Sequence, residues 1–303
     1  MSRLRPVALF LSLGLLWGLS FPAITVGLSA LDPLFFAATR YDVAAVALLA
    51  YAVFGTERWR PTGRDDVLAV LAGGVFLVAG NSLLFVGQQT TTSGVAAIIY
   101  SLIPILTTVF AFLLLADERL SRTGLLGVCF GLVGVVIIAR PEPGNPLAAG
   151  VVGKLLILAA AASVALGSVL IRRLSPSLDD AGLTGWSMLA GAVFLHVGSL
   201  ATGESVPGAL SPAVLTAVVY LGTLATAVAF LIYFHLLGTY GPLQSNLVSY
   251  VVPVVATVAG ALLLDEPITP LTVVGFAVIL LGFVLLQRRS LARFLAERRG
   301  TRA

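Results

Sequence analysis

Long apolar runs alternate with short polar connectors along the chain. In windows of about 19 residues the runs fall near 7–27, 33–54, 66–86, 93–115, 123–139, 150–171, 181–200, 211–234, 243–264 and 270–287. Each approaches the ~20 residues an α-helix needs to cross the hydrocarbon of a bilayer. Apolar residues fill the whole circumference of these runs, with glycine and proline scattered among them. A soluble amphipathic helix would show one apolar stripe, and a membrane-barrel strand would alternate. The pattern predicts an all-α integral membrane protein of ten transmembrane helices. The first run follows Arg3 and Arg5 in the manner of a secretory signal, yet it continues through Trp17, Phe21 and Pro22 without a small-residue cleavage site. It is read as a helix of the mature protein.

Composition agrees. Of 303 residues 58% are hydrophobic and 11% charged, and the mean hydropathy is +1.04, whereas soluble domains are about 25% charged. Ten spans use most of the length, which excludes a sizeable soluble catalytic domain. The net charge of +4 does not point to nucleic acid, because the basic residues sit between apolar runs and not on one polar face. They orient the chain instead. With a cytoplasmic N-terminus, 15 of the 18 basic residues fall in inner segments, only Arg140 and Lys154 lie outside, and Arg40 is within a span. The positive-inside rule therefore places both termini in the cytoplasm of a cell-membrane protein. Cys129 is the single cysteine, so no intramolecular disulfide or thiolate metal cluster can form, and its expected role is helix packing.

An internal repeat is the most informative feature. From Glu118 the chain runs eight residues to Gly127, six to Gly134 and five to Arg140; from Glu266 the same intervals lead to Gly275, Gly282 and Arg288, a constant offset of 148. Upstream, Pro104 in the fourth span answers Pro253 in the ninth, with Tyr100 and Tyr250 close before them. The first half is taken as 1–140, the loop 141–149 as a linker, 150–288 as the second half and 289–303 as a basic cytoplasmic tail. Five spans per half is an odd number, so the second copy enters the membrane from the opposite side. Inverted repeats related by an in-plane pseudo-twofold axis are a transporter architecture, because exchanging the conformations of the halves turns one open face into the other.

These features resemble the drug/metabolite transporter superfamily, in particular its EamA-type ten-helix members. The resemblance rests on Leu16-Trp17-Gly18 with Phe21, on Arg40 early in the second span, on Pro104 and Pro253, and on two runs: Leu-Leu-Leu-Ala-Asp-Glu ending at Glu118 and Leu-Leu-Leu-Asp-Glu-Pro ending at Pro267. It implies two inverted five-helix bundles around a central cavity, and export of metabolites or amino acids. Family members often carry a second tryptophan in the sixth helix, where this chain has Ser163-Val164-Ala165.

A polar side chain in hydrocarbon either faces a cavity or is satisfied by a neighbour. Arg40 and Asp42, two residues apart, point about 200° away from each other on a helix and must find different partners. Arg40 is either a structural lock or a receptor for an anionic group. Asp42 is the acid expected to couple protons, because burial raises a carboxyl pKa toward the range where it loads and releases. His196 and His235 titrate near neutrality; His196 joins Asp42 as a coupling candidate, with hydrogen-bonded structure as the plainer reading. No second ligand stands at metal-binding spacing from either histidine, and neither a metal nor a cofactor is expected. Asn81, Ser163 and Asn246 can hydrogen-bond a substrate or tie helices together, as can Ser82, Ser168 and Gln244. Tyr100 and Tyr250 would serve as aromatic gates or interfacial anchors, and Pro104 and Pro253 as hinges, each removing a helical hydrogen bond; the indole N–H of Trp17 wants a partner, and the family resemblance implies a place for it in the cavity wall. Gly127 and Gly131 offer a close-packing face, used internally or as the seam of a homodimer.

The reading is a secondary transporter of a small organic metabolite such as an amino acid, working by alternating access as an exporter, and not an enzyme. No Gly-x-x-x-x-Gly-Lys-Ser/Thr loop is present, so energy must come from a gradient. A membrane-embedded transferase would need a base with an orienting partner, and neither histidine has an acid within one turn. A non-transporting helper subunit or receptor is the other alternative.

Overall fold

The computed structural model describes residues 4–116, 118, 120–140, 149–205 and 208–300, with side chains at all of these but 4, 149, 242–244 and 289–300. The linker expected after Arg140, the Gln244 side chain and the side chains of the basic tail lie outside the described set. Every described element is helical. In chain order the helices are α1 (Leu4–Leu28), α2 (Pro33–Gly55), α3 (Arg64–Gln88), α4 (Ser93–Leu114), α5 (Arg122–Ala139), α6 (Ala149–Leu174), α7 (Asp180–Thr202), α8 (Pro212–Gly241), α9 (Val248–Leu264) and α10 (Pro270–Gly300). Nine of these described helices are long and apolar enough to span a bilayer and α9 is shorter. The protein is a ten-helix, multi-pass membrane protein.

Local chemistry sets the helix ends. The Thr92, Ser121 and Ser211 hydroxyls accept from the N–H groups of Val95, Gly124 and Val214, meeting donors that the first turn leaves open. Pro33, Pro212 and Pro270 open α2, α8 and α10, where a missing N–H costs nothing. Lys154 Nζ donates to the last carbonyls of α5, Ile138 and Ala139, at 3.1 and 3.2 Å, a cation on the negative end of a helix.

The two halves are related by inversion, and individual hydrogen bonds carry the relation. The Arg58 N–H donates to Asp179 Oδ2 at 2.8 Å, and the Ser205 N–H donates to Asp32 Oδ2 at 2.9 Å. Donor and acceptor exchange halves between these two bonds at a common offset of 147 residues. The first bond ties connectors on the face that carries the termini; the second does the same on the opposite face. The packing obeys the same rule: α1 lies on α9 as α6 lies on α4, α3 on α7 as α8 on α2, while α2–α7 and α5–α10 pair across the pseudo-axis. Both α3 and α8 contain a π-helical stretch, Gly73–Ala79 and Thr223–Val228.

The repeat glycines meet each other at the α5–α10 crossing. Gly127 lies against the Gly282 carbonyl, and Gly134 against that of Gly275. The small residues that betray the repeat are therefore the ones that let its two copies approach, and this α5 face is consumed inside the chain. Ten helices thus form two inverted five-helix repeats, with Ala96, Ala97, Ile98, Ile99 and Leu102 of α4 almost fully buried.

Candidate functional site

A column of polar and aromatic side chains runs between the halves, built from α1, α2, α3, α4 and α8. Its upper part lies toward the face away from the termini. There the Tyr100 hydroxyl (α4) donates to Asn81 Oδ1 at 2.8 Å, and Asn81 Nδ2 (α3) donates to the Tyr41 hydroxyl (α2) at 2.7 Å. Arg40 lies beside this network, its guanidinium carbon 4.7 Å from the Tyr41 ring centre and 5.4 Å from that of Phe85. Tyr100 meets Phe21 of α1 edge-on at 6.1 Å. One turn along the same face of α1, Trp17 contacts Phe230 at 5.9 Å and Tyr233 at 5.5 Å. The Tyr233 hydroxyl then donates to Asn246 Oδ1 at 2.9 Å, ending the column near the terminal face. Five residues expected on a substrate path, Trp17, Arg40, Asn81, Tyr100 and Asn246, are thus linked through side chains that periodicity did not single out.

A second hydrogen-bonded chain lies toward the same face as the upper part of the column. Glu266, in the α9–α10 connector, accepts from the Ser93 N–H at 2.9 Å and from its hydroxyl at 2.9 Å. Ser93 Oγ is 3.1 Å from Thr25 Oγ1. Gln88 Nε2 donates to Thr25 Oγ1 and to the Phe21 carbonyl, at 2.9 and 2.6 Å. This chain joins the second repeat to α1, α3 and α4 of the first, capping the N-terminus of α4 with a carboxylate, which the helix dipole favours.

Other expected residues lie elsewhere. The Ser163 hydroxyl donates to the Phe76 carbonyl at 2.9 Å, inside the π-helical stretch of α3 where the ordinary ladder is interrupted; it joins α6 to α3. Tyr250 packs on Phe283 of α10 with ring centres 4.2 Å apart, and its buried hydroxyl has no partner among the described residues. Asp42 and His196 find each other across α2 and α7, Nε2 to Oδ2 2.8 Å, with side chains 45% and 38% exposed. Their helix neighbours Val46, Val193, Val197 and Leu200 are all exposed, so the pair stands on the lipid-facing perimeter. The two prolines differ: Pro104 follows a break at Ser101 and Leu102 that divides α4, while Pro253 lies within a continuous α9.

Sequence reasoning missed Tyr41, Gln88, Thr25, Phe230, Tyr233 and the hydrogen bonds of Glu266 to Ser93. Glu266 had a signal, as the residue that opens the second copy of the repeat. Tyr233 and Phe230 stand three apart on α8, a spacing that puts them on one face, but nothing in an all-apolar run tells which face points inward.

Sequence models test what this architecture belongs to. The model of the EamA-like transporter family matches residues 4–140 and 151–288. The chain belongs to the EamA-like transporter family. Among its relatives, this EamA-like protein is 30% identical to the inner membrane transporter YedA of Escherichia coli K12, over 92% of this chain and 89% of that one. It is 29% identical to a Streptantibioticus cattleyicolor protein named "Probable terminal-alkyne amino-acid exporter", over 91% of each. A crystal structure with 22% identity superposes with a TM-score of 0.65, covering 98% of this chain and 99% of that one, which speaks to the fold alone. The EamA-like chemistry is less symmetric than its fold. At the 148–150 offset, Trp17, Asn81 and Tyr100 of the first repeat are answered by Ala165, Phe230 and Tyr250, so most of the polar network belongs to one half.

Proposed function

We propose that this protein is a secondary transporter of small organic metabolites, amino acids among them, which it exports by alternating access from a cell membrane with both termini in the cytoplasm. The observation that carries the reading is the column: hydrogen-bonding and aromatic side chains from both repeats meet between two inverted halves, under a seal made by Glu266, Ser93, Thr25 and Gln88. Inverted halves can exchange conformations and move that seal to the other face. The basic connectors support the orientation, and the relative named as an amino-acid exporter supports the substrate class. Pro104 and Pro253 are the proposed hinges. Asp42, with His196 2.8 Å away as partner, is the proposed coupling group; it is a carboxylate within α2.

The test is flux. Purified protein in liposomes is expected to move labelled amino acids down a gradient, with a rate that saturates. Folded protein in sealed vesicles that moves none of a broad panel of amino acids and related metabolites refutes the transporter reading and favours a helper or receptor.

A further inference from the structure

Arg40 is a cation within a span that has no anionic partner among the described residues. It lies seven residues inside α2, about 10 Å along the helix from its end, a depth at which an uncompensated charge is costly. No described carboxylate is within ion-pair distance of it, and its Nε is buried without an acceptor. The neighbouring acids are committed: Asp42 to His196, Asp32 to Ser205, Glu204 to the N–H groups of Leu34 and Phe35, and Glu266 to Ser93. The guanidinium carbon lies over the Tyr41 and Phe85 rings. They attract its charge without neutralising it, and its buried Nε has no described acceptor.

The hydrogen bonds beside it share a direction. Tyr100 donates to Asn81, and Asn81 donates to the Tyr41 hydroxyl, so Tyr41 has accepted a bond and keeps its own proton to give. A guanidinium and a phenol proton on neighbouring residues, with the Phe85 ring beside the cation, are complementary to a carboxylate attached to an apolar body. No described carboxylate pairs with Arg40 or Tyr41 at this end of the column; Asp180, at the start of α7, lies near Tyr233 at the terminal end.

We propose that the site recognises its substrate by a carboxylate, taken by Arg40 and Tyr41, and that an amino group is not required for binding. This rests on the transporter reading and narrows it to organic acids, with amino acids bound through their acid group.

The test uses the purified full chain and five matched probes: leucine, 4-methylpentanoate, leucinamide, isopentylamine and isopentyl phosphate. Thermal stabilisation reads binding independently of flux. Leucine and 4-methylpentanoate are expected to raise the melting temperature and to displace each other, and the amide and amine to do neither. Arg40→Gln is expected to weaken carboxylate binding about ten- to a hundredfold, the effect of losing a charge-assisted hydrogen bond in a buried site, with Arg40→Lys recovering part of it. Tyr41→Phe, which keeps the cation, is expected to cost a smaller factor and guards against an Arg40 variant that fails to fold. Equal binding of amide and acid, undiminished carboxylate binding by folded Arg40→Gln, or preference for the phosphate each overturns the proposal. Flux of amines or amides that survives Arg40→Gln overturns it while leaving the transporter reading intact, whereas carboxylate binding with no flux of any probe does the reverse.

Discussion

The α5–α10 crossing offers a measurement whose size can be worked out in advance. In Gly134→Ala the new Cβ would stand 2.5 Å from Ile279 Cγ1 and 2.7 Å from the Gly275 carbonyl oxygen, whereas carbon contacts are best near 3.5–4.0 Å. One of those contacts is backbone and cannot rotate away, so the helices must part by about 1 Å. Overpacking of this kind costs about 1–3 kcal/mol. The alanine itself returns up to ~1 kcal/mol of helix propensity, so the bare change in stability is ambiguous. Gly238→Ala in α8 removes the ambiguity, since a Cβ there meets nothing within 4 Å. Propensity cancels in the comparison, and Gly134→Ala is expected to be less stable than Gly238→Ala by about 1–3 kcal/mol. Gly282→Ala, at 2.6 Å from the Gly127 carbonyl and 2.9 Å from the Gly131 nitrogen, is expected to match Gly134→Ala. The assay is the unfolding temperature of purified protein in one detergent, with monodispersity checked for each variant. A Gly134→Ala protein as stable as Gly238→Ala would refute the claim that these glycines set the approach of the two repeats.

Other outcomes follow from the hydrogen bonds. Tyr100→Phe leaves Asn81 Oδ1 buried without a donor and is expected to lower stability by about 1–3 kcal/mol, read as a fall in melting temperature absent from Tyr51→Phe on the exposed surface of α2. Asp32→Ala and Asp179→Ala remove equivalent clamps on opposite faces and are expected to destabilise by similar amounts, about 1 kcal/mol each; a large inequality in the same melting assay would count against the symmetry. Glu266→Gln weakens the charge-assisted seal, and a cysteine at Val95 in a Cys129→Ser background is expected to react faster with a membrane-impermeant maleimide applied to the sealed face. Asp42→Asn is expected to abolish acceleration of flux by a pH gradient while downhill exchange persists; unchanged acceleration would remove Asp42 from coupling.

The residues of the column show where one-dimensional reasoning works and where it ends. Arg40 and Asn81 could be marked in advance because a charge or amide within an apolar run is conspicuous against its background. Tyr41 could not, for tyrosines are ordinary in such runs, and its role follows from two neighbours 40 and 59 residues downstream. Tyr100 and Tyr250 occupy equivalent places in the repeat yet take unlike roles, one bonded to Asn81 and the other packed on Phe283. Repeat spacing constrains backbone symmetry, and side-chain partners are free to diverge on it.

What the sequence determined by itself is the number of spans, their boundaries to within a few residues for most helices, and the inversion of the second half. Each is a matter of length and parity: bilayer thickness sets how long an apolar run must be, and an odd number of runs turns the copy over. What only the tertiary structure decided is helix rotation. Lipid is as apolar as a packed interior, so a transmembrane run carries no 3.6-residue stripe to tell its inward face from its outward one. That is why Asp42 meets His196 on the perimeter, why Ser163 bonds a backbone carbonyl, and why Arg40 turns toward Tyr41 and Phe85.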